Sequence, residues 1–176
     1  MMRLAPEPLL RAEQIAARVG ELAQAVRADF EGKDALMLAV LKGGAIFAAD
    51  LLRALQLPMA LDYIRVRSYD GDTSSGTVRL LARPELSLRQ RHVLVVEDIL
   101  DTGRSSARIL RYVRGAGAAQ VRLCVLLDKP ERRVVPVHAD YVGFTIPNCF
   151  VVGYGLDYCE QYRHLTGIYV LDAPTA

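Results

Sequence analysis

His92-Val93-Leu94-Val95-Val96-Glu97-Asp98-Ile99-Leu100-Asp101-Thr102-Gly103-Arg104-Ser105 is the stretch that decides the fold. Its first half is an apolar, β-branched run of strand length, the pattern of a strand buried on both faces of a parallel sheet. The run ends in two adjacent carboxylates, Glu97 and Asp98, and Asp101 follows. Thr102-Gly103-Arg104-Ser105 then leads into a segment of helical character. There Ile109 and Leu110 stand four and three residues before Val113, the spacing of one helix face. A buried strand, an acidic turn, a small-residue loop and a helix start together predict an anion site. Loop amides and the positive end of the helix dipole would face a phosphate. The acids beside it would bind ribose hydroxyls, or Mg²⁺ carried in with the phosphates. In open α/β sheets, ligands lie at this carboxyl end of the strands.

A lone acidic turn before a capped helix would be read as a solvated turn. The order of the pieces separates this one: two acids, two apolar residues, then Asp-Thr-Gly-Arg-Ser, all after a buried strand. It is not a Walker loop, because no Gly-Lys-Ser/Thr follows a spaced glycine. Nor is there a dinucleotide fingerprint, since Gly153-Tyr154-Gly155 meets Tyr158 where a third glycine is needed.

The chain of 176 residues predicts a single domain, 1–176, with a sizeable core. A hydrophobic share of 52% and a charged share of 24% exclude disordered and collagen-like classes. The formal net charge of +2 gives no global basic field to draw in nucleic acid. Cys124, Cys149 and Cys159 lack metal-ligand spacing, and their odd number argues against a disulfide framework, so a reducing, cytoplasmic location is expected. Charged residues interrupt any apolar run near the N-terminus, and no apolar window suits a membrane span.

Outward from the central stretch, Ile15, Val19, Leu22, Val26 and Phe30 mark an amphipathic helix. Ala35 to Leu41 suits a central strand, and it runs into Lys42-Gly43-Gly44 and a second helical stretch, a second anion loop at a strand end. Leu61 to Val66 and Val78 to Ala82 read as strands around the polar run Arg67 to Gly76, which at that length reads as a lid or binding loop. Val121 to Leu127 is a buried strand ending in Asp128-Lys129-Pro130, so Lys129 shares a rim with Lys42 and Asp98. Arg132-Arg133 reads as a solvated pair or a subunit contact. Tyr141 to Phe144 and Phe150 to Tyr154 read as further strands, and Asp157, Tyr158, Glu160 and Arg163 form a polar cluster behind them. The three histidines lack the spacing of a dyad or a zinc site. No nucleophile elbow is present, which speaks against covalent acyl chemistry.

The acidic string resembles the phosphoribosyl-diphosphate-binding motif of type I phosphoribosyltransferases. With Leu41 to Gly44, Ser68-Tyr69, Asp128-Lys129-Pro130, Val142-Gly143-Phe144, Phe150 to Tyr158 and Arg163, the chain resembles the hypoxanthine-guanine phosphoribosyltransferases of purine salvage over about residues 35–172. The resemblance implies a type I phosphoribosyltransferase α/β fold, a central parallel sheet flanked by helices with a small hood of terminal segments. Glu97 and Asp98 are then expected at the ribose hydroxyls and Asp101 near purine N7 as proton acceptor. Asp101, Thr102, Gly103, Arg104 and Ser105 would hold the 5′-phosphate, and Lys42, Gly43 and Arg163 the pyrophosphate. Lys129 would meet the 6-oxo group, Phe150 would stack on the ring, and Val151 and Asp157 would complete the purine site. Glu97, Asp98 and Asp157 are the implied Mg²⁺ carboxylates, and Ser68 and Tyr69 belong to the implied lid. Family members often carry Thr where Ser105 stands; the hydroxyl is retained.

The implied partners are a purine base and phosphoribosyl diphosphate, with no nucleic acid, no membrane and a homo-oligomeric state, dimer or tetramer. The chemistry suits the residues, because displacement of pyrophosphate by purine N9 needs no covalent nucleophile. It needs cations on the leaving group, a carboxylate for a proton, and exclusion of water. Two other readings remain at this point. One is a transferase for another base such as xanthine, and the other is a transferase-fold regulator that binds nucleic acid.

Overall fold

The computed structural model describes residues 3–68 and 78–172. Strand β1 (Arg3–Leu4) precedes helix α1 (Ala12–Phe30), β2 (Ala35–Leu41), α2 (Gly44–Leu55), β3 (Ala60–Ser68) and β4 (Val78–Ala82). Then follow β5 (His92–Leu100), α3 (Arg104–Gly115), β6 (Gln120–Asp128), β7 (Tyr141–Thr145), β8 (Val151–Val152) and β9 (Tyr169–Asp172).

The main sheet has the order β4-β3-β2-β5-β6-β7. Every pairing in it is parallel except β3 with β4, so the expected parallel sheet carries one antiparallel edge strand. Alternation along the buried strands divides the core. Met37, Ala39, Leu94 and Val96 pack with Ile15, Leu22, Val26, Phe47 and Leu51 of α1 and α2. Leu36, Leu38, Val93 and Val95 face the other way, onto Ile109, Leu110 and Val113 of α3. A one-residue register slip would exchange these sets, so the pattern fixes the pairing of β2 with β5. All five apolar residues that predicted α1 are buried.

The hood is a separate antiparallel sheet, β1-β9-β8, in which Leu4 faces Leu171 and Val151 faces Val170. The stretch Phe150 to Tyr154, expected as one strand, contributes only Val151 and Val152, and to the hood rather than the main sheet. Gly153, Tyr154 and Gly155 all take positive φ, +100°, +48° and +100°, and this turns the chain out of extended geometry. Val151, Tyr154, Leu156 and Ile168 join the same apolar cluster as α1 and α2, which seats the hood on the sheet. Among the described residues no helix is long and apolar enough to cross a membrane.

Candidate active site

The order of the strands places the site. From β2 the chain winds outward through α2 to β3, and from β5 it winds the opposite way through α3 to β6. The winding direction therefore reverses between β2 and β5, and a crevice opens there beyond their carboxyl ends. Lys42-Gly43 leaves β2 at this point and Glu97-Asp98 sits on β5 beside it. The two meet closely: a Cβ built on Gly43 would lie 1.6 Å from Asp98 Oδ2, and one on Gly44 would lie 3.0 Å from the Val96 carbonyl oxygen. The glycine pair therefore serves close packing of α2 against β5.

Both strand-end acids are held away from water. Glu97 is buried, and its Oε2 accepts a 2.6 Å hydrogen bond from the Ser106 hydroxyl. Desolvation pushes its pKa up to about 8, which the serine donor only partly offsets. Asp98 keeps slight solvent access but is enclosed by protein, and desolvation raises it to about 6; Ile99 N–H, 3.0 Å from Oδ1, pulls the other way, while Asp157 adds repulsion. Ser106 was not singled out in the sequence, and a second serine after Ser105 gave no signal.

Asp101 to Ser105 turns from β5 into α3. Gly103 has φ +84°, and a Cβ there would lie 2.8 Å from the Val135 carbonyl oxygen, so a side chain is excluded twice over. The loop, with Glu97, Asp98, Ser106 and Arg132, lines a cleft of about 310 Å³ at the start of α3. Arg132 and Arg133 do not form a solvated pair. Arg132 Nε lies 3.1 Å from Asp101 Oδ1, while Arg133 donates to the Asp101 carbonyl oxygen at 2.7 Å and also binds the Asp128 carboxylate. A 3₁₀ turn, Pro130–Arg132, bends both arginines back. The signal for it was Pro130 at a strand end, which starts such a turn readily.

A second cleft, of about 400 Å³, adjoins the first and is lined by Lys42, Arg65, Arg67, Ser105, Asp157, Glu160 and Arg163. The sequence-predicted cations Lys42 and Arg163 meet here. Arg163 Nη2 lies 2.8 Å from Asp157 Oδ1, and its Nη1 donates to the Gly155 carbonyl oxygen at 2.6 Å. The hood loop presses close on the β2 loop, since a Cβ on Gly155 would lie 2.3 Å from the Gly43 carbonyl oxygen. Arg65 was missed, and Arg67, expected to open the polar lid run, belongs instead to β3, where its two-residue spacing from Arg65 puts both on one face; residues 69–76 of that run lie outside the described residues. Of the two implied lid residues, Ser68 ends β3 and Tyr69 lies outside the described residues.

Just past the carboxyl end of β6, Lys129 is only 6% exposed, and its ammonium donates to the Cys149 carbonyl oxygen at 2.5 Å. Phe150 is 48% exposed and meets Tyr158 edge to face, with centroids 5.9 Å apart. Val151 is buried in the hood beside it. Phe150 thus keeps about half of its surface exposed. A larger cavity of about 700 Å³ lies between α1, α2 and residues 163–166, and shares Arg163 with the second cleft. Its polar groups Asp50, Arg53 and Tyr154 bond one another, and it does not reach the strand-end acids.

The chain matches the family model described as a phosphoribosyl transferase domain over residues 7–159. It is 44% identical over 171 residues to a hypoxanthine-guanine phosphoribosyltransferase of Mycobacterium avium, covering 93% of this chain and 84% of that one. It is 42% identical over 164 residues to the protein of that name from Lactococcus lactis, covering 93% and 89%. The crystal structure of a hypoxanthine-guanine phosphoribosyltransferase from Bacillus anthracis, with a HEPES molecule in its active site, superposes with a TM-score of 0.91. That pair is 38% identical, over 98% of this chain and 100% of the other.

Proposed function

The chain belongs to the phosphoribosyl transferase domain family, and from that premise we propose that it moves the 5-phosphoribosyl group of phosphoribosyl diphosphate to N9 of hypoxanthine or guanine. The products are IMP or GMP and pyrophosphate, which makes the protein a transferase of purine salvage. The observation that carries this reading is the contact of Asp98 with Gly43 at the reversal of the sheet. It sets the β2 loop against a strand-end acid of β5, beside the loop that leads into α3.

In this reading the 5′-phosphate lies on the Asp101 to Ser105 loop at the start of α3, where backbone N–H groups and the helix dipole favour an anion. The ribose hydroxyls lie against Glu97 and Asp98. The diphosphate lies toward Lys42, Gly43 and Arg163. The base stands between Phe150 and the Lys129 ammonium, with Val151 and Asp157 at its edge. Purine N9 forms its bond to C1 as the bond from C1 to the diphosphate oxygen breaks, and positive charge spreads over the ribose ring. Asp101 accepts the proton that leaves N7. Lys42 and Arg163 stabilise the negative charge that collects on the departing diphosphate.

Among the described residues no three His, Cys, Asp or Glu side chains are grouped to cage a metal ion. Mg²⁺ needs no such cage, since it is usually held by one or two carboxylates together with water and substrate phosphates. Asp98 and Asp157, close enough to repel each other, would supply such carboxylates, whereas Glu97, which the resemblance also implies as a ligand, is buried and committed to the Ser106 hydroxyl. Bound there, Mg²⁺ would neutralise charge on the diphosphate.

The nucleic-acid regulator is disfavoured by the balanced charge of the chain. The deciding experiment mixes the protein with phosphoribosyl diphosphate, Mg²⁺ and each purine, and follows nucleotide formation. Absence of IMP and GMP with active protein would sink the reading.

A further inference from the structure

Glu160 occupies the place where the diphosphate is expected. Its Oε1 accepts from Lys42 Nζ at 2.9 Å and its Oε2 from Arg163 Nη2 at 3.1 Å. One carboxylate thus bridges a cation from the β2 loop and a cation from the hood loop, and both cations lower its pKa. The turn that presents it is unusual, since Cys159 and Glu160 both have left-handed φ, +51° and +63°. The two acids around Arg163 differ in how they are held. Asp157 is 29% exposed and uses Oδ1 on Arg163 and Oδ2 on the Glu160 N–H at 2.9 Å. Glu160 is 64% exposed, with solvent to turn into.

We propose that Glu160 is an internal anion that holds the diphosphate's two cations in the empty enzyme, yields them when the diphosphate enters, and so weakens the enzyme's affinity for phosphoribosyl diphosphate and pyrophosphate. The inference rests on the reading of Lys42 and Arg163 as diphosphate cations. A diphosphate carries several charges against one on Glu160, so it displaces the carboxylate. Asp157 stays and keeps Arg163 oriented. On the return path Glu160 competes with the product for the same cations and so favours its release, a step that limits turnover in many enzymes.

The test is calorimetric binding of pyrophosphate, with Mg²⁺, to the wild type, Glu160→Gln and Glu160→Asp. Gln removes the charge. Asp keeps it on a stem too short to bridge both cations. Both variants are expected to bind pyrophosphate about threefold to tenfold more tightly at low ionic strength, since each lost pair is an exposed one. The gain should shrink at about 0.5 M salt, where exposed charges are screened. If Gln tightens binding and Asp does not, the effect is one of general field and the bridging role is overturned. Weaker binding by either variant would also overturn it, because Glu160 would then be supporting the cations. If the wild type binds IMP but not pyrophosphate, the assignment of Lys42 and Arg163 falls, and this inference falls with it.

Discussion

Arg132 Nε lies 3.1 Å from Asp101 Oδ1, so the carboxylate proposed as proton acceptor is gripped by a residue outside its own loop. Arg133 grips the same residue through its main chain, at 2.7 Å from the carbonyl oxygen. The Arg132 pair is half exposed on both sides, and such pairs add under about 1 kcal/mol to stability. Its consequence is orientation. The contact favours one orientation of the Asp101 carboxylate.

Replacing the acceptor and loosening it should therefore give different kinetics. Asp101→Asn keeps the shape and removes the base, so kcat should fall by about 10²–10⁴-fold with smaller changes in KM. Arg132→Ala leaves the base but frees its carboxylate, and a loss of about 3- to 30-fold in kcat is expected. Steady-state rates of both variants decide it. An Asn variant within threefold of the wild type would remove Asp101 from its role.

The raised acids give the free enzyme a pH-dependent stability of definite sign. Glu97 ionises near 8 in the folded chain against an ordinary value of 4.5, so the folded state binds the proton more tightly. Stability from this group is complete below the ordinary value and is lost as pH rises through the folded one. The wild type should melt lower at pH 8.5 than at pH 5.5, and Asp98, near 6, acts in the same direction. Glu97→Gln should remove roughly 2–4 kcal/mol of this slope. A variant with the same pH dependence as the wild type would mean that Glu97 ionises freely.

Much of this arrangement was legible from local pattern alone. Ala35 to Leu41 and Val93 to Val96 are apolar without a break, as strands buried on both faces are, and the acids and glycines at their ends mark the crevice. What pattern could not carry was long-range pairing. The edge position and direction of Val78–Ala82 depend on its partner, and the same short apolar segment would fit either direction. Arg132 with Asp101, and Lys42 with Glu160, are contacts 31 and 118 residues apart, made by side chains that look solvated in sequence. Phe150 to Tyr154 misled for a local reason. Its β-branched residues promise a strand, but Gly153 and Gly155 end it after two residues.

A side chain at Gly43 should displace the Asp98 carboxylate, and the effect is testable. Its φ and ψ, −58° and −44°, suit any residue, so the obstacle is Asp98 alone. Gly43→Ala should cost roughly 1–3 kcal/mol through this overpacking and displace Asp98 from the crevice. In an Asp98→Ala background the same substitution should cost much less, since the opposing oxygen is gone. Urea unfolding of the four chains measures the coupling. Equal costs in both backgrounds would mean that the clash is not the cause.

The choice of base should follow from Lys129. Its ammonium has three donors and no acceptor, and one donor is already spent on the Cys149 carbonyl oxygen. Hypoxanthine and guanine would offer it a 6-oxo acceptor, whereas adenine would present a 6-amino donor. Because Lys129 is almost wholly buried, water cannot make up the missing bond. A buried charged donor left facing another donor costs about 3 kcal/mol or more, so adenine should be disfavoured at least ~10²-fold in kcat/KM. Backbone groups near Val151 and the Asp157 region would accept the 2-amino group of guanine and still admit the bare C–H of hypoxanthine. Both bases should therefore react, and xanthine, with a 2-oxo group, should be poorer. The Cys149 contact adds a check on the lysine itself. Lys129→Met keeps the apolar stem without the charge, so it should hold the fold while losing the preference for 6-oxopurines. The measurement is kcat/KM for the four purines with wild type and variant. If adenine rivals hypoxanthine in the wild type, or if the variant keeps the same ranking and rates, Lys129 does not read the 6-position.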